Sequence, residues 1–250
     1  MSGDNNLMHN FPQNVFSRIC HVKLGYEDRE RHIIREFATR GVPVNWYLEW
    51  DVADISDGAR NAFAVNTLTP AAISLALKHA GIWREFLATD LPFCLVFEDD
   101  VFLAKNFVVR LAQCLSELGD PKRSAVVYLG NGGNYYTPLK ALVEGRALYP
   151  GPHSRCTDSY VLTRSAAEAR CAWFENNKLA LPIDHQVNSI DAEKGIEVLW
   201  FERPIVEQGS ANGAFSSSIT PLRQRPRWYA RVEWNWKKFR RRIFGHTTQG

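Results

Sequence analysis

Apolar positions along the chain fall into two alternating rhythms. Compact runs at Val15 to Leu24, Val44 to Val52, Phe93 to Phe97, Ala125 to Leu129, Tyr160 to Thr163 and Ile196 to Phe201 predict strands. Between them the apolar residues return at helical spacing. Glu27 to Arg40 reads as a charged helix stopped by Gly41 and Val42-Pro43. Thr69-Pro70 supplies an N-cap and a first-turn proline for a helix to about Thr89, with Ala72, Leu75, Ala76, Ile82, Trp83 and Phe86 on its apolar side. Phe107 to Leu118 is a further helix, Ser165-Ala166-Ala167-Glu168 a capping box opening one through Asn176, and Pro182-Ile183-Asp184-His185-Gln186 the start of a short one. The unbroken apolar run Phe93 to Phe97, bounded by Pro92 and a set of acids, marks a central strand covered on both faces. Strands alternating with helices in segments this short predict an α/β sandwich with a mostly parallel central sheet.

The stretch Asn131 to Pro152 lacks either rhythm and reads as a long loop with room for a hairpin; loops of that length in compact domains tend to be functional. With 250 residues the chain is ample for one large core. The expected division is a flexible N-terminus over 1–14, one domain over 15–220 and a basic aromatic tail over 221–250.

Charge changes the picture only in that tail. The net charge is +3, yet Arg223 to Arg242 holds nine Lys or Arg against the single acid Glu233, so the remainder is acidic. Arg227, Trp228, Trp234, Trp236, Lys237, Lys238, Arg240 and Arg241 interleave cations with aromatics, as a helix lying on an anionic membrane surface would. The same pattern suits a helix that packs its aromatics on the domain and leaves its cations in water. No nucleic-acid recognition motif accompanies it, and no nucleic-acid partner is expected. Five scattered cysteines without a CxxC pair argue against a disulfide framework. Met1 to Gln13 lacks the apolar core of a signal peptide, and no window reaches transmembrane length. The expectation is a cytoplasmic protein, with peripheral attachment to the inner face of the cytoplasmic membrane as the tail's contribution.

Chemistry concentrates at Glu98-Asp99-Asp100, three carboxylates where the central strand ends. Adjacent like charges in a desolvated place call for a cation among them, and a hard divalent ion takes oxygen ligands while keeping positions for water and phosphate. A solvated acidic turn is the plainer reading. In an open α/β sheet ligands lie beyond the carboxyl ends of the strands, which puts Tyr26, Asp28, Arg29, Asp51, Asp54 and Asn131 on the same rim. The Gly130 loop is either a ligand-hugging turn or simply a turn. His79 and Trp83, one helical turn apart, suit a buried pair packed on the sheet. Asp184-His185 sets a carboxylate beside an imidazole at a helix start, where it either works as a base and ligand pair or merely complements the helix dipole.

Taken in order, Leu24 with Asp28-Arg29, Leu68-Thr69 through His79 and Trp83, Phe97-Glu98-Asp99-Asp100-Val101, Tyr160-Val161-Leu162-Thr163-Arg164 with Ala166-Ala167, and Pro182-Ile183-Asp184-His185 resemble glycosyltransferase family 25 over about Val15 to Ile219. That family includes lipopolysaccharide-type galactosyltransferases and resembles the catalytic domains of collagen galactosyltransferases. Where it commonly has Asn-Leu and Ser-His, this chain has Lys23-Leu24 and Lys78-His79.

The resemblance implies a GT-A-like fold and a metal-dependent, inverting transfer of a hexose from a UDP-sugar, UDP-galactose being usual, to a saccharide or lipid-linked saccharide acceptor, using Mn²⁺ or Mg²⁺. It implies Glu98, Asp100 and His185 at the metal and diphosphate. Leu24, Arg29, Asp51, His79, Asp99 and Asn131 fall to the nucleotide-sugar. Asp184 is the expected base, with Asp158 and Glu207 as acceptor contacts or alternative bases. A metal-dependent phosphohydrolase and an inactive sugar-binding or membrane-adaptor protein are the competing functions.

Overall fold

The computed structural model describes residues 10–63, 68–215 and 227–244. Arg223 and Arg225 and the side chains of Arg227, Trp228 and Trp234 lie outside the described residues.

A seven-stranded sheet runs in the order β2-β1-β3-β7-β5-β8-β6. Its strands are β1 (Val15–Cys20), β2 (Trp46–Tyr47), β3 (Phe93–Glu98), β5 (Ala125–Tyr128), β6 (Leu148–Pro150), β7 (Ser159–Thr163) and β8 (Glu197–Phe201). Five of these seven run one way, with β6 and β7 reversed, so the sheet is mostly parallel. A separate antiparallel pair, β4 (Val101–Leu103) with β9 (Val206–Gln208), stands beyond the acidic turn.

Alternation along β3 divides the core. Phe93, Leu95 and Phe97 face one layer, where Ile33 and Phe37 of α1 (Glu27–Arg40) and Phe107, Leu111 and Leu115 of α4 (Phe107–Leu118) cover them. Cys94 and Val96 face the other, beneath α3 (Pro70–Leu87), α5 (Arg164–Asn176) and α6 (Ile183–Lys194). Every side chain of β3 from Phe93 to Phe97 is buried, as a doubly covered central strand requires. α3 begins where the sequence sets it: the Thr69 hydroxyl accepts the Ala72 amide and Pro70 opens the first turn. α2 (Asp57–Arg60) and α7 (Gly209–Asn212) are single turns, and α8 (Arg227–Phe244) closes the described chain.

Four local expectations are corrected. β1 stops at Cys20 rather than Leu24, because the chain leaves the sheet there and leaves Leu24 82% exposed. β2 shrinks to Trp46–Tyr47, since only Ile19 and Cys20 remain for it to pair with. Asn131 to Pro152 forms no internal hairpin; it makes short 3₁₀ turns at Gly132–Asn134 and Leu139–Ala141, and β6 pairs with the distant β8. α5 is capped by Thr163, whose hydroxyl accepts the Ala166 amide, and not by Ser165, which lies inside the first turn. Thr163 is the better cap because the same hydroxyl also bonds the Ala125 backbone, which fixes its direction.

Candidate active site

Parallel strands β2, β1 and β3 end side by side, and a cavity of about 460 Å³ opens at their carboxyl edge. That volume suits a small organic ligand. Leu24 lies at the cavity with Tyr26, Arg29, Asp51, Asp54, Lys78, Glu98 and Asp99, so residues from four separate segments meet there. Buried Asp51 is held on both oxygens: Lys78 Nζ donates to Oδ1 at 2.7 Å and the Lys23 amide to Oδ2 at 3.0 Å. Burial works to raise the Asp51 carboxyl, but the Lys78 ammonium and the Lys23 amide hold it below the usual range. Lys78 Nζ also donates to the Glu49 carbonyl at 2.6 Å, so this lysine is a cavity-side strut.

The three acids divide by direction. Asp99 turns toward the cavity wall, where its Oδ2 meets His21 Nδ1 at 2.7 Å and its Oδ1 accepts Arg29 Nη1 at 2.5 Å. Arg29 in turn lies over the Tyr26 ring, 5.2 Å from its centroid. Glu98, the last residue of β3, also lines the cavity, while Asp100 is buried in the turn that follows the strand. Glu98 accepts Thr157 Oγ1 at 3.0 Å; desolvation, then the charges of Asp100 and Asp158, push its carboxyl well above the usual range. Asp100 accepts the Ser210 amide on Oδ2 at 2.9 Å, and burial raises it while Arg29 pulls it down.

Reversed strand β7 brings Asp158 to the same place, its carbonyl accepting the Glu98 amide at 2.8 Å. Asp158 is fully buried, and burial pushes its carboxyl up to about 7 although Ser159 Oγ donates to it. Gly130 abuts it: a Cβ there would stand 2.3 Å from Asp158 Oδ2. The glycine loop therefore packs on the acidic cluster. Burial, then the charges of Asp158, Asp184 and Glu98, raise the Cys156 thiol.

Asp100 Oδ1 and Asp158 Oδ1 are buried and accept no hydrogen bond among the described residues. Unpaired carboxylate oxygens in a dry place fit a divalent cation, which needs only one or two carboxylates when water and diphosphate complete its shell. No three His, Cys, Asp or Glu side chains among the described residues form a ready-made cation cage. Asp100 and Asp158 thus offer the free oxygens of a partial ligand set, with Glu98 beside them.

Other sequence candidates stand apart from the cavity. His79 is fully buried behind Glu98, its Nε2 4.0 Å from Oε1 and its Nδ1 2.9 Å from the Tyr160 hydroxyl; burial lowers its pKa to about 3 and keeps it neutral. Trp83 Nε1 donates to the same hydroxyl at 2.8 Å. Asn131 is buried and donates to the Tyr136 hydroxyl at 2.9 Å, and Asp28 pairs with Arg31 on the surface. Asp184 sits in the first turn of α6, where Ser154 Oγ donates to its carbonyl at 2.9 Å, and neighbouring His185 is exposed. Glu207 is paired with Lys238 of α8. Sequence reading missed His21 and Thr157. His21 was hidden because the first strand was drawn through to Leu24, which buried this rim residue inside an element.

Residues 27–139 match the family model described as "Glycosyltransferase family 25 (LPS biosynthesis protein)". The chain is 32% identical over 133 residues to a Bos taurus protein named "Probable inactive glycosyltransferase 25 family member 3", covering 52% of this chain and 22% of that protein. It is 30% identical over 112 residues to the "Lacto-N-neotetraose biosynthesis glycosyltransferase LgtB" of Neisseria meningitidis serogroup A, covering 41% of this chain and 39% of that protein. The chain thus spans well under half the length of these curated relatives. A solved glycosyltransferase involved in glycosylation of the major capsid of PBCV-1 aligns at 10% identity with a TM-score of 0.46, over 88% of this chain and 98% of that one. The family match takes in Arg29, Asp51, Lys78 and the acids at 98–100 and leaves Asp158 and Asp184 outside it. Residues 27–139 thus match the glycosyltransferase family 25 model, the family that the motifs resemble.

Proposed function

We propose that the protein is a metal-dependent, inverting glycosyltransferase that moves a hexose, galactose from UDP-galactose, to a saccharide acceptor in lipopolysaccharide or other glycan synthesis. The observation that carries this reading is the unpaired, buried Asp100 Oδ1 in the turn just after Glu98, which itself lines the cavity with Asp99, His21 and Arg29. The cavity takes the nucleoside, with Asp51 and Lys78 near its base and Arg29 toward the diphosphate. Glu98 and Asp100 would hold Mn²⁺ or Mg²⁺, which when bound supplies neutralisation of the charge that develops on the departing UDP. Asp99 is instead held by His21 and Arg29, one on each oxygen, which fixes its direction on the cavity wall.

Asp184 is the base that takes the acceptor hydroxyl's proton. It is partly exposed and lies in the first turn of α6, where an acceptor hydroxyl can reach its carboxyl. Asp158 is the poorer candidate because it is fully buried and packed against Gly130, out of an acceptor's reach, although burial raises its carboxyl to about 7. A binding protein without turnover is the second reading, favoured by the relatives that are named inactive.

A panel of nucleotide-sugars with Mn²⁺, scored for UDP release and for the anomer of the product, tests the proposal. UDP-galactose should be turned over with inversion, Asp100→Asn should lose both UDP binding and turnover, and Asp184→Asn should bind UDP normally yet lose turnover. Near-normal transfer by Asp184→Asn would hand the base to Asp158. Binding of UDP-sugars with no release from the unaltered protein would establish the second reading.

A further inference from the structure

The cationic and apolar sides of α8 are placed the wrong way round for a helix that merely completes a globular core. Lys238 pairs with Glu207, Arg241 Nη1 donates to the Gly133 carbonyl at 2.6 Å, and the Arg242 guanidinium lies 5.1 Å from the centre of the Tyr136 ring. Among its described side chains, the helix is thus fastened to the domain by cations. Val232, Trp236, Phe239 and Ile243 face outward, 60%, 64%, 58% and 41% exposed. At 3.6 residues per turn these four positions fall within an arc of roughly 60°, with Arg241 on the opposite side. Trp236 and Phe239 stack on each other at 6.1 Å between ring centres, making one continuous apolar strip. Surface helices of globular proteins turn such a strip inward.

We propose that this strip docks on an anionic lipid bilayer, with α8 lying in the plane of the headgroups. Charge selects this occupant over a second copy of the chain. Exposed Arg240 borders the strip on one side and half-buried Arg242 on the other, with Lys237, paired to Glu233, farther round. A two-fold contact between copies would bring those cations against themselves, whereas an anionic leaflet complements them. No helix among the described residues is long and apolar enough to cross a membrane, so the strip lies on the surface. Because α8 rests on the Gly132–Asn134 turn and on Glu207 of β9, docking holds the rim of the acidic cluster toward the bilayer. The inference stands on the helix alone and is independent of the transferase reading.

The test is flotation of the full chain with vesicles of phosphatidylethanolamine and phosphatidylglycerol, and with vesicles of phosphatidylcholine alone. The protein should float with the anionic vesicles, stay behind with the neutral ones, and be released as salt rises to about 0.5 M. Trp236→Ser with Phe239→Ser should lower the bound fraction about tenfold while UDP affinity and the melting temperature stay unchanged. Arg240→Gln should lower it severalfold. Equal flotation of the double variant and the unaltered protein would overturn the proposal, as would absence of flotation. A dimer in sedimentation that the double variant dissolves, without any flotation, would assign the strip to a second copy instead.

Discussion

Asp158→Asn should change how stability depends on pH. In the native protein burial holds the Asp158 carboxyl near 7, against an ordinary value of 3.8. The folded state therefore keeps a proton that the unfolded chain gives up, and the native carboxyl's contribution is complete below about pH 4 and lost as pH rises to about 7. At about 1.4 kcal/mol per unit, that displacement is worth roughly 4 kcal/mol, or on the order of 10 °C in melting temperature for a domain of this size. His79 titrates with the opposite sign across part of the same range: its pKa, lowered to about 3, makes folding less stable as pH falls below about 6.5. The comparison of two proteins removes the His79 contribution and reports Asp158 together with its effect on Glu98, which acts in the same direction. Thermal melts in EDTA from pH 4 to pH 8 should show the difference, the Asp158→Asn variant minus the unaltered protein, climbing by several kcal/mol toward neutrality. Two curves that stay parallel within about 1 kcal/mol would refute the burial argument.

Arg170→Met should cost about 3–5 kcal/mol in urea denaturation, because Asp191 would be left as an unpaired buried charge; Nε and Nη2 of Arg170 now donate to it at 2.9 and 2.7 Å. Adding Asp191→Leu should recover most of that loss, and a double variant no better than the single would contradict it. Gly130→Ala should destabilise by about 1–3 kcal/mol, since its Cβ would stand 2.3 Å from Asp158 Oδ2; pairing it with Asp158→Ser should relieve the clash, and additive losses would argue against this contact.

Long periodic elements were legible from the chain alone. Glu27–Arg40 and Phe107–Leu118 have the ends that the sequence predicts, because Gly41 adopts the left-handed conformation and Gly119 has a positive φ. Short edge strands were not. Val101–Leu103 exists only because Val206–Gln208 crosses it, and no local rhythm in three residues announces such a partner. The site divides along the same line. Carboxyl ends of parallel strands locate Arg29, Asp51 and Asp99 on one rim, a rule that needs only the order of elements. Asp158 arrives on a reversed strand, so the rule gives no reason to expect it beside Glu98. For His79 the helical spacing with Trp83 predicts a buried pair, and the ring does turn inward onto Tyr160, whereas the resemblance assigns it to the nucleotide-sugar. The apolar strip on α8 followed from the sequence in composition but not in direction, because only the contacts of Lys238 and Arg241 decide which side faces the domain.

Titration of UDP into the protein with and without Mn²⁺, repeated with Asp100→Asn, tests the central claim most directly. The account predicts binding that Mn²⁺ strengthens at least tenfold in the unaltered protein and leaves unchanged in the variant. Equal UDP affinity with and without Mn²⁺ in the unaltered protein would contradict it.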